Sequence, residues 1–126
     1  MANNKPKILV VDDQRGIRLT LSAIMEHQGY DVTEAEDGYQ AIEAVTRQSF
    51  DLVFLDIKMP GINGVQSFRE IKKISPGSAV VMMTGFSVED LVKEALDEGA
   101  RTVIYKPFQV EKVLSLIESF VTPATH

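Results

Sequence analysis

Short apolar runs alternate along this chain with stretches of helical period, and the alternation occurs five times. Ile8-Leu9-Val10-Val11, Leu52-Val53-Phe54-Leu55 and Ala79-Val80-Val81-Met82-Met83 are continuous apolar runs bounded by turn signals. That pattern predicts strands buried on both faces. Asp31-Val32-Thr33-Glu34-Ala35 alternates and is more polar, as suits an edge strand. Thr102-Val103-Ile104-Tyr105 is the fifth run.

Helical stripes lie between and after these runs. Ile17, Leu21, Ile24 and Met25 form the first, and Ala41, Ile42 and Val45 the second. Val65, Phe68 and Ile71 form the third. Val88, Leu91, Val92, Ala95 and Leu96 form the fourth, and Val110, Val113, Leu114, Ile117 and Val121 the fifth. Gly29, Ser75-Pro76-Gly77 and Gly99 supply stops. Ser87-Val88-Glu89-Asp90 has the spacing of a capping box.

Strands alternating with helices predict an α/β fold, a doubly wound parallel sheet with helices on both faces. Right-handed crossovers leave few topologies. For five strands the flavodoxin-like order 2-1-3-4-5 is the natural one, and its switch point lies between strands 1 and 3. We read residues 1–6 as a flexible lead-in, 7–121 as the domain and 122–126 as a tail or linker stump.

Composition narrows the function classes. The chain has 126 residues, 44% of them hydrophobic, which suffices for one ordinary core. It has no cysteine, so disulfides and thiolate metal sites are excluded. A net charge of −5 argues against direct nucleic acid binding. No apolar run approaches a membrane span, and the polar start lacks a signal-peptide core. A cytoplasmic protein without membrane contact is the default expectation.

The candidate chemistry lies at the strand ends. In a parallel sheet every strand's C-terminus faces one edge. There the chain sets Asp12 and Asp13, Asp56, Thr84 and Lys106. Strands 1 and 3 flank the switch point, so three carboxylates should crowd together. They need counter-charge to stay ionised. Lys106 supplies one positive charge, and a hard divalent cation such as Mg²⁺, bound through oxygen, would supply the rest. The only histidines are His27 and His126, so an imidazole metal site is disfavoured. Metal, lysine, hydroxyl and a carboxylate nucleophile suit phosphoryl transfer, which is mostly positioning and charge neutralisation. Asp56 is the best nucleophile, Asp12 and Asp13 are better placed as metal ligands, and Thr84 and Lys106 can hold phosphoryl oxygens. One of the two adjacent acids is also expected to cap the first helix.

The chain resembles the receiver domain of two-component response regulators. The matching features are Val11-Asp12-Asp13, the strand ending at Asp56 with Met59-Pro60-Gly61 and Gly64 after it, Met83-Thr84-Gly85, and Lys106-Pro107-Phe108. They occur in the right order at the right strand ends. The resemblance implies a phosphoacceptor switch that assists its own phosphorylation and dephosphorylation and is not a turnover enzyme. It implies that Asp56 takes a phosphoryl group from a sensor histidine kinase or phosphotransfer protein. It implies that Asp12, Asp13, Asp56 and the backbone carbonyl of Lys58 hold Mg²⁺. It also implies a cis Lys106-Pro107 bond. The fourth helix, fifth strand and fifth helix would form the output face, towards an effector domain or protein or in a homodimer.

Two positions stand apart. The family's usual aromatic switch residue, three before the lysine, is Val103 here; Tyr105 lies on the same side of the strand and is expected to substitute in part. The resemblance also implies that Phe86 flanks the path of the attacking water, so its bulk is expected to hinder that water and slow self-dephosphorylation. Competing readings are a metal-dependent aspartyl-phosphate phosphohydrolase, a flavin module and a receiver-like scaffold that is not phosphorylated. The first lacks a second acid two residues after a strand-1 nucleophile, the second a phosphate-cradling loop. The presence of all five site residues argues against the third.

Overall fold

A computed structural model of the chain describes residues 5–85 and 88–121. The strands are β1 (Lys7–Val11), β2 (Asp31–Ala35), β3 (Leu52–Asp56), β4 (Ala79–Thr84) and β5 (Thr102–Tyr105). The helices are α1 (Arg15–His27), α2 (Gly38–Arg47), α3 (Gly64–Ile74), α4 (Glu89–Asp97) and α5 (Val110–Val121). The sheet is parallel throughout, in the order β2-β1-β3-β4-β5. The polar strand β2 is an edge, and the switch point falls between β1 and β3, as the strand pattern predicts.

Side-chain alternation divides the core into two layers. Leu9, Val11, Val53, Leu55, Val80 and Met82 face α2, α3 and α4. Ile8, Val10, Leu52, Phe54, Val81, Met83 and Ile104 face α1 and α5. Met82 and Met83 thus fill opposite sides of the core. Gly29 and Gly99 follow their helices at φ of +92° and +112°, where glycine is the residue without a Cβ penalty.

The structure departs from the apolar helical stripes at three places. The buried face of α1 is Arg18, Leu21, Ser22 and Met25, one position round from the apolar residues alone, with Ile17 and Ile24 half-buried. Leu96 on α4 and Val110 on α5 are exposed. Neither Asp12 nor Asp13 caps α1: Gln14 holds the cap position without a side-chain bond. The expectations at Phe86, Ser87 and the tail 122–126 lie outside the described residues, as does most of the lead-in.

The loop after β3 is anchored tightly. Asn63 accepts from the Gln66 backbone N–H at 3.0 Å, and the Gln66 side chain accepts from the Asn63 N–H at 2.9 Å, a reciprocal cap that starts α3. Gly64 donates its N–H to the Ile57 carbonyl at 2.7 Å. A Cβ on Gly64 would lie 2.4 Å from the Asp56 carbonyl oxygen and 2.6 Å from the Ile57 Cα. Only glycine lets the start of α3 rest against the backbone of the β3 tip. At Gly16 of α1, by contrast, a Cβ would meet nothing within 4 Å. Urea unfolding should find Gly64→Ala destabilised by about 2 kcal/mol or more, because backbone must shift. Gly16→Ala should stay within about 1 kcal/mol of the parent.

Candidate functional site

The site begins with the register of β1 and β3. Val11 pairs with Leu55, so the next residues, Asp12 and Asp56, leave adjacent strands side by side. Both are buried, at 0% and 3% exposure, whereas Asp13 is exposed. Asp12, Asp13 and Asp56 each bring a carboxylate oxygen within 4.8 Å of the others'.

Lys106 reaches across from the end of β5. Its Nζ lies 2.6 Å from Asp12 Oδ2 and 3.2 Å from Asp56 Oδ2, with only 14% of the side chain exposed. The Lys106 backbone N–H donates to the Thr84 carbonyl at 2.8 Å, which ties the two strand ends together. Thr84 itself is fully buried. The Lys106-Pro107 bond is cis. Lys58 donates its backbone N–H towards Asp56 Oδ1 over a long 3.4 Å, and its side chain is exposed.

These contacts set the electrostatics. Burial pushes the Asp56 carboxyl up, and the neighbouring Asp12 charge pushes it further; Lys106 and the Lys58 N–H pull against them, and the result is about 6. Burial would lower the Lys106 ammonium, but its ion pair with Asp12 and its attraction to Asp56 outweigh that and raise it. Among the described residues the Lys106 ammonium stands against three carboxylates, which leaves the cluster short of positive charge.

The donor set fits a divalent cation. All the converging atoms are carboxylate oxygens, which hard cations prefer. Asp12 Oδ1 accepts from the Gln14 N–H at 2.9 Å. Oδ2 is buried without an aligned hydrogen bond, and the Lys106 ammonium is its charged neighbour among the described residues. That atom is placed to receive a second positive charge.

Two cavities border the cluster. One of about 610 Å³ is lined by Ile17, Leu21, Pro107, Phe108 and Lys106, among others. The other, about 200 Å³, lies between Thr84, Val88, Glu89, Val92 and Tyr105. Val103 packs into the core layer of α2–α4, whereas Tyr105 is 57% exposed at that second cavity. A larger cavity, about 690 Å³, lies between α3 and the end of α4, away from the carboxylates.

The chain pattern did not indicate Arg18. It is buried on α1, and its Nη1 donates to the Asp12 carbonyl at 2.8 Å. The available signal was the gap in the α1 stripe at Arg18, matched by Glu34 and Glu36 around the end of β2.

Comparisons with known proteins agree with this architecture. The family model described as "Response regulator receiver domain" matches residues 8–118. Sporulation initiation phosphotransferase F of Bacillus subtilis is 36% identical over 115 residues, spanning 91% of this chain and 93% of that protein. Chemotaxis protein CheY of the same organism is 38% identical over 112 residues, spanning 88% and 93%. Among solved structures, a CheY-like receiver domain protein from Methanospirillum hungatei superposes with a TM-score of 0.89 at 28% identity, over 92% of this chain and 93% of its own. A chain of the CheX-CheY-BeF3-Mg+2 complex from Borrelia burgdorferi gives 0.83 at 32% identity, over 90% and 87%.

The raised Asp56 carboxyl has a consequence for stability. Its value in an unfolded chain is 3.8 and its folded value about 6, so between these the folded protein holds more protons. Stability conferred by the protonated group is present below pH 4 and is lost as pH rises through 6, a loss of about 3 kcal/mol. In metal-free buffer, Asp56→Asn should therefore be more stable than the parent at pH 7.5. The difference should shrink towards zero at pH 4, as read from urea midpoints at the two pH values.

Proposed function

Because the chain belongs to the response regulator receiver domain family, we propose that Asp56 is its phosphoacceptor and that phosphorylation of Asp56 switches its surface. The observation that carries this reading is the buried Asp12–Asp56 pair, both members within reach of the Lys106 ammonium, with Asp13 close by. A carboxylate held in a pocket with one lysine and spare negative charge is arranged for phosphoryl transfer, in which charge neutralisation does most of the work.

In the proposed reaction an Asp56 carboxylate oxygen attacks the phosphorus of a phosphohistidine on a sensor kinase or phosphotransfer protein. The oxygen–phosphorus bond forms, the phosphorus–nitrogen bond breaks, and the histidine nitrogen leaves with the electron pair. Asp12, Asp13, Asp56 and the Lys58 carbonyl would hold Mg²⁺. Bound there, Mg²⁺ would neutralise the carboxylates and polarise the phosphoryl oxygens. The similar Borrelia chain was solved in a complex that includes Mg²⁺, which supports that choice of metal. Lys106 pairs with one phosphoryl oxygen as a point charge, and the Thr84 hydroxyl donates to another. The cavity beside Ile17 and Phe108 leaves the donor room next to Lys106.

The output follows from the same contacts. Drawing Thr84 towards the phosphoryl group changes the end of β4 and the space beneath Tyr105, and so the face made by α4, β5 and α5. Tyr105 stands at that space where Val103 is packed away, and it takes part of the switch aromatic's role. A partner or effector reads the altered face, which would also serve a homodimer. Among the described residues no helix is long and apolar enough to cross a membrane.

Intact mass spectrometry tests the reading. After incubation with Mg²⁺ and acetyl phosphate, the parent should gain the mass of one phosphoryl group. Asp56→Asn should gain none, and chelation of the metal should abolish the gain in the parent. An equal adduct on Asp56→Asn would move the acceptor elsewhere. Steady release of phosphate without adduct would favour hydrolase chemistry.

A further inference from the structure

Among the described residues, Arg18 is the one buried basic side chain outside the cluster, at 8% exposure. A guanidinium in that position is costly unless paired, and a leucine would continue the apolar face of α1 at no such cost. Its contacts explain what the charge is for. Nη1 donates to the Asp12 backbone carbonyl at 2.8 Å, Nε donates to Glu34 Oε1 at 3.3 Å, and Nη2 stands 4.0 Å from Glu36 Oε2. One side chain thus ties α1 to the tip of β1 and to the end of β2.

The tip of β1 is fixed from three directions. The Asp12 N–H donates to the Ala35 carbonyl at 3.2 Å, its carbonyl accepts from Arg18, and its Oδ1 accepts from the Gln14 N–H at 2.9 Å. Only Oδ2 is left, and it faces the carboxylate cluster beside Lys106. We propose that Arg18 is a positioning residue for the divalent cation: it holds the Asp12 main chain so that Oδ2 stays aimed at the metal. The inference rests on the phosphoacceptor reading with its bound cation. Glu34 and Glu36 have a matching part. They fix the guanidinium's direction and offset its charge, which would otherwise repel a cation nearby. A lysine could keep the charge but could not bridge Asp12 and Glu34 with a rigid fork.

The test is Mg²⁺ binding without any phosphodonor, followed by amide shifts in an NMR titration with MgCl₂, beside thermal melting of each variant. Partners that orient metal ligands typically account for a 10- to 100-fold change in affinity. Arg18→Leu, which keeps the packing, should raise the Mg²⁺ Kd about tenfold without a matching loss of melting temperature. Arg18→Lys should recover only part of the affinity. An unchanged Kd in folded Arg18→Leu overturns the proposal, because a purely structural residue would move the melting temperature alone. Tighter binding overturns it as well, since that is the result of charge removal without loss of positioning. Should Arg18→Leu not fold, Glu34→Gln decides: a Kd raised about threefold supports the proposal and an unchanged one overturns it. A parent without Mg²⁺-dependent shifts refutes the cation reading itself, and the proposal falls with it.

Discussion

The structure depends on a sheet register that forces like charges together. β1 and β3 are neighbours, and Val11 beside Leu55 makes Asp12 and Asp56 emerge side by side. Two carboxylates about 4 Å apart repel by about 4 kcal/mol at the effective dielectric of a protein site. The strands beneath them hold firm because Ile8, Leu9, Val10, Val11, Leu52, Val53, Phe54 and Leu55 are all fully buried. Each such side chain contributes about 2 kcal/mol, so the apolar register outweighs the repulsion several-fold. The apolar core therefore stores an electrostatic imbalance at its edge, and under the proposed function a cation and a phosphoryl group would relieve it.

Everything around the cluster keeps the imbalance from relaxing. The start of α3 rests on the Asp56 backbone at Gly64, so the β3 tip cannot swing outward. Arg18 holds the β1 tip from the other side. Lys106 is tethered through its own N–H to Thr84, so the ammonium beside the carboxylates comes from a strand end that is itself coupled to the end of β4. In the proposed switch a change of charge at Asp56 would be felt first by Lys106, and through the Lys106 N–H by Thr84 at the end of β4. On that proposal, this would be the route by which chemistry at a buried carboxylate reaches the surface.

Much of this was legible in the chain because it rests on period and on strand ends. Period 2 and period 3.6 give the strand–helix alternation, and the parallel sheet then collects Asp12, Asp56, Thr84 and Lys106 at one edge. What the pattern missed depends on atoms that period does not encode. Arg18 interrupts an apolar stripe, so the buried face of α1 shifted by one position once its partners Glu34 and Glu36 were in place. The reciprocal Asn63–Gln66 cap reads as ordinary polar loop until the backbone is seen. Leu96 and Val110 satisfy the helical period but are exposed. Apolar identity alone does not say how wide a covered stripe is.

The claim that the strand ends hold unbalanced negative charge is tested most directly by thermal melting with increasing MgCl₂, against NaCl of matched ionic strength. Asp13 is the carboxylate to remove in parallel, being exposed and bringing an oxygen within 4.8 Å of those of Asp12 and Asp56. Mg²⁺ should raise the parent's melting temperature as a specific ligand does, through a stabilisation of RT ln(1 + [Mg²⁺]/Kd), while NaCl should not. Asp13→Asn should melt above the parent without metal and gain less from Mg²⁺. A parent indifferent to Mg²⁺, or an Asp13→Asn variant that is less stable without metal, would contradict that claim.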